Sequence, residues 1–364
     1  MIAERLKQIR ILKHYTVDAV ANGIGVTKQA VSKYETGKAI PSSDVMAKII
    51  SFYELPAGYL QKPVIEAKEC SALFYRKGKR TPQRELEDAQ IRLEWCYEVL
   101  LACSEVAKIT SVDMPYFDET WSIEKKADSL RTHWRLRHEP IIDLEEVLAE
   151  HGISIFAAEL ENVKIDGYSQ IINGRPIIVL NQNRGTLERK AFSLCHELGH
   201  LLLHAGQVLG DPIQIEKEAN AFAASFLMPA EAFKRDVIRV NSESLRKLGE
   251  KWHVSPQAAL ERCLGLGLLE PEAEIQQAHR QYLLQKLNKL ADYRIPEKVT
   301  FCSIGKLLEE IDADPSKREC FLRSVCFPIP MMQQLFQMPH LFAQWKETPD
   351  SAESIDGVQL TFAF

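Results

Sequence analysis

The sequence predicts a mainly α-helical protein with one small β-sheet, an α+β fold of more than one domain. Three observations carry this. Apolar residues recur at helical spacing over most of the chain. Period-two alternation is confined to about residues 153–181. At 364 residues the chain exceeds one ordinary domain, and a hydrophobic content of 46% permits a real core. No apolar run is long enough to cross a bilayer, so no membrane role is expected. The start Met1-Ile2-Ala3-Glu4-Arg5 is charged at once and lacks a signal-peptide core. The eight cysteines are scattered without tight zinc-type pairing and read as reduced thiols of a cytoplasmic protein.

Charge is distributed unevenly. Residues 1–62 carry nine Lys/Arg against five Asp/Glu, a net +4, which leaves −9 on the remainder. A basic head on an acidic body assigns any nucleic-acid contact to the head.

Four short helices can be read in that head. Ile2, Leu6, Ile9 and Leu12 step along one face. Thr16 caps a second helix with Val17, Val20 and Ile24 inward. Gly23 and Gly25 allow a tight turn, and Thr27 caps a third helix from Lys28 to about Glu35 that ends at Gly37. Pro41 and Ser42 open a fourth. Helix, glycine turn and capped helix is the plan of a helix-turn-helix whose second helix lies in a major groove. Gln29 can pair with adenine, Lys28 with guanine or phosphate, and Ser32, Lys33 and Lys38 suit phosphates. With Thr27 these form the expected DNA-facing set. The alternative is a small helical bundle with a solvated polar face. The run Gly25-Val26-Thr27-Lys28-Gln29-Ala30-Val31-Ser32-Lys33-Tyr34-Glu35-Thr36-Gly37-Lys38 resembles the Cro/repressor-like (XRE) helix-turn-helix family. That resemblance implies a five-helix domain used as a homodimer on palindromic double-stranded operator DNA. Val17 departs from it, standing where many members carry a DNA-contacting glutamine.

Residues 63–130 read as a helical linker region. Leu86, Ile91, Leu93, Trp95, Val99 and Leu100 support one long helix. Trp121, Ile123, Ala127, Leu130 and Trp134 support another. Arg76-Lys77-Gly78-Lys79-Arg80 is a basic cluster, read foremost as a solvated loop. Ile153 and Ile155 then alternate, and residues 163–172 and 175–181 flank Asn173-Gly174, a type I′ hairpin pair. Pro176 lacks an amide donor, which places its strand at or near a sheet edge. Such a sheet can hold an extended segment as an added strand.

His196-Glu197-Leu198-Gly199-His200 is the most informative stretch. Two histidines four apart share a helical face and can grip one Zn2+ ion, and the glutamate between them can take a proton from an attacking water. Zinc also needs a third protein ligand. On the next helix, Gln214 to Met228, Glu216 and Asn220 share a face while Glu218 points elsewhere. Glu216 is therefore the expected third ligand, and Asn220 would orient a zinc histidine. Tyr168 and His204 are the candidate donors to a transition-state oxyanion. His204 also fits a polar residue favoured by the helix dipole. Cys195 points away from both histidines and reads as a buried helix residue rather than a nucleophile.

The run Glu188-Arg189-Lys190-Ala191-Phe192-Ser193-Leu194-Cys195-His196-Glu197-Leu198-Gly199-His200-Leu201-Leu202-Leu203-His204, followed by Glu216-Lys217-Glu218-Ala219-Asn220-Ala221-Phe222-Ala223-Ala224, resembles the ImmA/IrrE family of helix-turn-helix-associated metallopeptidases. The resemblance covers about residues 130–270. It implies a compact gluzincin-like fold, zinc on His196, His200 and Glu216, and Glu197 as catalytic base. Members of that family cleave helix-turn-helix repressors. Residues 131–270 are therefore the expected peptidase domain. Residues 271–364 are the expected mostly helical C-terminal domain, a sensor or partner surface. The expected function is a DNA-binding transcriptional regulator with a fused zinc endopeptidase, acting on a repressor or on its own linker in response to stress or a mobile-element signal. The competing readings are a transcription factor whose zinc-bearing domain senses a ligand or holds a dimer, and an antitoxin-like binding protein.

Overall fold

In this computed structural model the described residues are 2–56, 58–65, 69–75, 82–158, 160, 165–182, 186–206, 210–269, 273–289, 303–336 and 345. The basic cluster at 76–80 lies outside them, as does much of the segment after residue 336. The chain begins with α1 (Ile2–Leu12), α2 (Val17–Ile24), α3 (Lys28–Glu35) and α4 (Ser43–Tyr53). Next come β1 (Phe74–Tyr75), α5 (Gln83–Val106), α6 (Ile123–His133) and α7 (Leu144–Glu150). Three strands follow, β2 (Ser154–Ala158), β3 (Gly167–Ile172) and β4 (Arg175–Asn181). Then come α8 (Leu187–Leu203), α9 (Pro212–Leu227), α10 (Ala230–Asp236), α11 (Ser242–Trp252) and α12 (Pro256–Gly265). The last elements are α13 (Ala273–Lys289), α14 (Ile304–Asp312), α15 (Pro315–Val325) and α16 (Ile329–Phe336).

These elements form two compact units that do not follow chain order. One comprises Met1–Lys68, Lys79–Ile109 and Ile304–Phe364; the other comprises Glu69–Gly78 and Thr110–Ser303.

In the first unit, hydroxyls start three of the opening helices. Thr16, Thr27 and Ser42 accept from the amides of Ala19, Ala30 and Val45, satisfying donors that a helix start leaves unpaired. Gly25 takes φ 71° to end α2 and turn the chain into α3, a conformation that costs glycine nothing. Leu6, Ile9, Val20, Ile24, Val31 and Ile49 are buried between the helices. Residues 58–61 form a turn rather than a fifth short helix, and α5 joins α3 in packing on α1. Between α1 and α5 lies a buried ion pair, with Arg5 Nη2 2.8 Å from Glu98 Oε2. Trp95 of α5 stacks on Phe327 at 4.0 Å.

The second unit carries a four-stranded sheet in the order β1-β3-β4-β2. β3 and β4 are antiparallel, joined by Asn173 (φ 46°) and Gly174 (φ 77°), as the type I′ turn requires. β2 runs parallel to β4 on the other side. The strand of Pro176, expected at or near a sheet edge, is β4, one place in from the edge strand β2, a position a proline tolerates here. The reason is register: pairing with β2 begins only at Ile177, so the missing amide of Pro176 removes no bond of that ladder. Ile155, Ile178 and Leu180 of the sheet share a buried core with Leu194, Leu198 and Phe222 of α8 and α9. Gly199 permits the close contact of those two helices. A Cβ there would lie 3.2 Å from the Phe222 ring and 3.3 Å from the Ala219 backbone.

Candidate metal centre

Helix α8 presents His196 and His200 one turn apart, and α9 brings Glu216 across to them. The α9 start is fixed by Asp211, whose side chain accepts from Ile213 N–H, with Pro212 in the first turn, where its missing amide costs nothing. His196 Nε2 lies 3.5 Å from Glu216 Oε2, and His200 Nε2 lies 3.6 Å from Glu216 Oε1. The two Nε2 atoms are 3.1 Å apart. These three side chains are the one group of potential metal ligands among the described residues whose donor atoms converge. A tetrahedral zinc site with bonds near 2.1 Å has donor–donor edges of about 3.4 Å, so spacing and donor set both fit one such ion.

The hydrogen bonds around the histidines select the right tautomers. Asn220 Nδ2 donates to the Glu216 carbonyl at 2.8 Å. Its amide oxygen therefore faces His196 Nδ1 at 3.1 Å and accepts from it. The proton is thereby held on Nδ1, which leaves the Nε2 lone pair to a cation. His200 Nδ1 lies 3.2 Å from His204 Nδ1, and His204 Nε2 lies 3.1 Å from Glu218 Oε2. Glu218 holds its own place by accepting from Gln214 Nε2 at 2.8 Å. With Nε2 of His204 donating to that carboxylate, its Nδ1 accepts from His200. Burial, and then the neighbouring His196 and His204 charges, push His200 down to about 2, so it stays neutral. The Phe74 ring lies flat on the His200 ring, with centroids 5.0 Å apart and planes 7° from parallel.

Glu197 is buried, and its Oε2 accepts from Ser169 Oγ of β3 at 2.7 Å. Gly167 lies on the same sheet face, its virtual Cβ 3.7 Å from Glu197 Cγ. Side chains alternate along a strand, so Tyr168 points to the opposite face and cannot donate to an oxyanion beside Glu197. Both ring nitrogens of His204 are engaged by His200 and Glu218, which removes the second expected oxyanion donor too. Cys195 is fully buried and burial pushes its thiol up, consistent with an inert helix residue. A cavity of about 1060 Å³ opens beside His196, Glu197 and Asn220 and extends past the Asp166–Arg189 ion pair.

On the helix-turn-helix, Thr27, Lys28, Gln29, Ser32, Lys33 and Lys38 are all exposed on or beside α3. Lys28 Nζ lies 2.5 Å from Asp18 Oδ2, both well exposed, so the lysine is positioned without being buried. The hydroxyl of Thr27 is engaged as the α3 cap.

Sequence reasoning missed three residues at the candidate metal site. Ser169 carried no signal, because only the sheet-to-helix packing brings it to Glu197. Phe74 sits in a strand too short to show a period. Glu218 did have a signal, since His204 continues the four-residue step from His200 and needs a partner on the facing helix.

Comparison with known proteins divides along the same lines. Residues 6–60 match the family described as helix-turn-helix, and residues 148–264 match the family described as IrrE N-terminal-like domain. The prophage SPbeta-derived HTH-type transcriptional regulator YonR of Bacillus subtilis is 36% identical over 62 residues, 17% of this chain and 57% of that protein. The cryptic phage CTXphi transcriptional repressor RstR of Vibrio cholerae is 32% identical over 60 residues, 16% of this chain and 54% of that protein. The chain thus spans about half the length of the curated relatives it matches. A solved structure of Bacillus thuringiensis PlcR in complex with the peptide PapR7 and DNA covers 92% of this chain and 95% of that one, at 11% identity and a TM-score of only 0.17. Residues 6–60 are therefore a helix-turn-helix domain of the XRE type, joined in one chain to an IrrE N-terminal-like domain at residues 148–264.

Proposed function

We propose that this chain is a DNA-binding transcriptional regulator whose IrrE-like domain is a zinc-dependent endopeptidase acting on a polypeptide, a helix-turn-helix repressor in trans or the chain's own linker. The observation that carries the reading is the convergence of His196, His200 and Glu216, with a buried carboxylate, Glu197, on the helix of the two histidines. Two neutral imidazoles and one carboxylate suit zinc and leave it net positive. When bound, zinc acts as a Lewis acid that polarises a peptide carbonyl and acidifies water.

The chain's own residues account for the rest. Glu197 takes a proton from the water that attacks the carbonyl carbon, and passes it to the leaving nitrogen as the C–N bond breaks. The products are a carboxylate and an amine. Ser169 fixes the carboxylate of Glu197 by donating to Oε2. Asn220 holds the His196 tautomer, and His204 with Glu218 holds that of His200. At the other end of the chain, α3 is read as the helix that enters a major groove of double-stranded operator DNA. Gln29 and Lys28 meet bases, and Ser32, Lys33 and Lys38 meet phosphates. Operator symmetry would follow from a homodimer. Among the described residues no helix is long and apolar enough to cross a membrane.

The test is metal analysis paired with a cleavage assay. Purified protein should carry about one zinc per chain, and His196→Ala should lose it. Glu197→Gln should keep the metal and lose cleavage. Metal retained by His196→Ala overturns the ligand assignment, and undiminished cleavage by Glu197→Gln removes its role as base.

A further inference from the structure

The strands β2, β3 and β4 all lie within residues 148–264, and β1 does not. The IrrE-like segment by itself therefore leaves β3 as a sheet edge. Residues 69–75, from far upstream, run antiparallel along that edge. The seam covers residues 69–71 and resumes at Phe74. Asn173 N–H donates to the Glu69 carbonyl at 2.7 Å, and Asn173 Oδ1 accepts from Glu69 N–H at 3.1 Å. Cys70 bridges Ile172. Ser71 N–H donates to the Ile171 carbonyl, Ile171 N–H donates to Ser71 Oγ, and Gln170 Nε2 donates to the Ser71 carbonyl, each at 2.9 Å. Phe74 and Tyr75 then pair with Ser169 and Tyr168. Phe74 is 5% exposed, with its ring on the flank of His200 and 6.0 Å from that of His204.

Two features set this segment apart from an ordinary edge strand. In four of the five hydrogen bonds just named the segment itself contributes a main-chain group, and one aromatic side chain is set against a metal-ligand histidine. Both of its flanks, Met1–Lys68 and Lys79–Ile109, belong to the other compact unit. An extended peptide that adds to a sheet edge is recognised in this way, with main-chain bonds for affinity and a side-chain contact for specificity.

We infer that the β3 edge is the site at which an extended polypeptide adds as a strand, with an aromatic side chain against His200, and that residues 69–75 occupy it as the chain's own ligand. The inference rests on the reading of this domain as a polypeptide-binding centre. A partner polypeptide then competes with a segment whose tether gives it an effective concentration on the order of millimolar. The edge is open to the partner only when the segment leaves.

The test uses the full chain in a Glu197→Gln background loaded with zinc, so that nothing is cut. The probe is a fluorescent peptide, Glu-Cys-Ser-Ala-Leu-Phe-Tyr, the sequence of residues 69–75. Two variants loosen the resident segment: Phe74→Ala removes the ring on His200, and Ser71→Pro removes the N–H donated to Ile171. The amides of Ile171 and Asn173 should exchange faster in at least one variant. That variant should bind the probe at least ten-fold tighter than the parent, and the probe should restore protection. A probe with Ala in place of Phe should bind at least ten-fold more weakly. Faster exchange without probe binding overturns the inference. Exchange that stays unchanged in both variants also overturns it, since β1 would then be a fixed part of the sheet. In a parallel arm with Glu197 restored, the loosened variant should cut denatured casein faster than wild type. If no chain cuts casein, the peptidase reading fails and the probe binding still decides this inference. A cut within residues 69–75 of the wild-type chain, absent from Glu197→Gln, would show a consumed substrate rather than a resident ligand and would overturn it.

Discussion

Asn220 shows how one side chain can set the chemistry of another without touching a substrate. Its amide is oriented by the Glu216 carbonyl and in turn orients His196. Asn220→Ala should leave the fold intact, because the residue is exposed on α9, yet weaken zinc affinity by about 10- to 100-fold. Competition with a chromophoric chelator measures this; an unchanged affinity would show that α8 alone fixes the imidazole. At this scale the sequence was legible where chemistry follows helical spacing. His196 and His200 are one turn apart on one helix, and Glu216 shares a face with Asn220 on the next, so the pattern could be read before any packing was known. Ser169 and Phe74 come from strands, and their meeting with α8 depends on how the sheet docks, which no local period encodes. Tyr168 was misjudged by a single position, and in a strand one position is the difference between the two faces of the sheet.

Helices and strands carry their own expectations. The exposed face of α3 is held by a threonine cap and by the glycine turn before it. Replacing Lys28 and Gln29 together by alanine should reduce operator affinity at least ten-fold while leaving the circular dichroism spectrum unchanged. Binding titrations on operator and random duplexes at fixed salt read this out, since phosphate contacts alone make affinity salt-dependent. Equal loss on both duplexes would mean that α3 contributes charge but no base recognition. Elsewhere, α6, α9 and α12 are fastened by Glu124, which accepts from Ser225 Oγ and from Arg262 Nη1, each at 2.8 Å. Burial raises the Glu124 carboxyl, but the Arg262 hydrogen bond and charge outweigh it and hold the group below its ordinary value of 4.5. A depressed carboxylate stabilises the fold fully above its unfolded pKa, and that contribution fades as pH falls through the folded one. Wild-type Tm should therefore drop as pH is lowered below about 4.5, and Arg262→Met should remove part of that drop. Parallel pH profiles for the two proteins would exclude the pair as its source. The helices involved were foreseeable from their periodicity. The strand order was not, because Pro176 argues for an edge by itself and is excused only by a register that begins one residue later.

Across the whole chain, the two compact units interleave in sequence, so neither can be cut out as one continuous stretch. The boundary read near residue 62 follows the end of a helical pattern. In the structure the head shares its compact unit with α5, and the Arg5 guanidinium finds its carboxylate at Glu98, where both side chains are within 1% of fully buried. No sequence period links positions 93 residues apart. Removing one partner of a buried pair strands the other. Glu98→Leu should therefore cost about 3–5 kcal/mol, read as a shift in denaturant midpoint by Trp95 fluorescence. A cost under about 1 kcal/mol would mean that the Lys62 and Pro63 carbonyls, which also accept from Arg5, suffice. The same pair governs the fate of a chain that an added protease has nicked between residues 69 and 75. Covalent continuity between the helix-turn-helix and α5 would be lost, but both pieces contribute to the same compact unit. Such a nicked protein should stay associated through gel filtration and come apart only in denaturant.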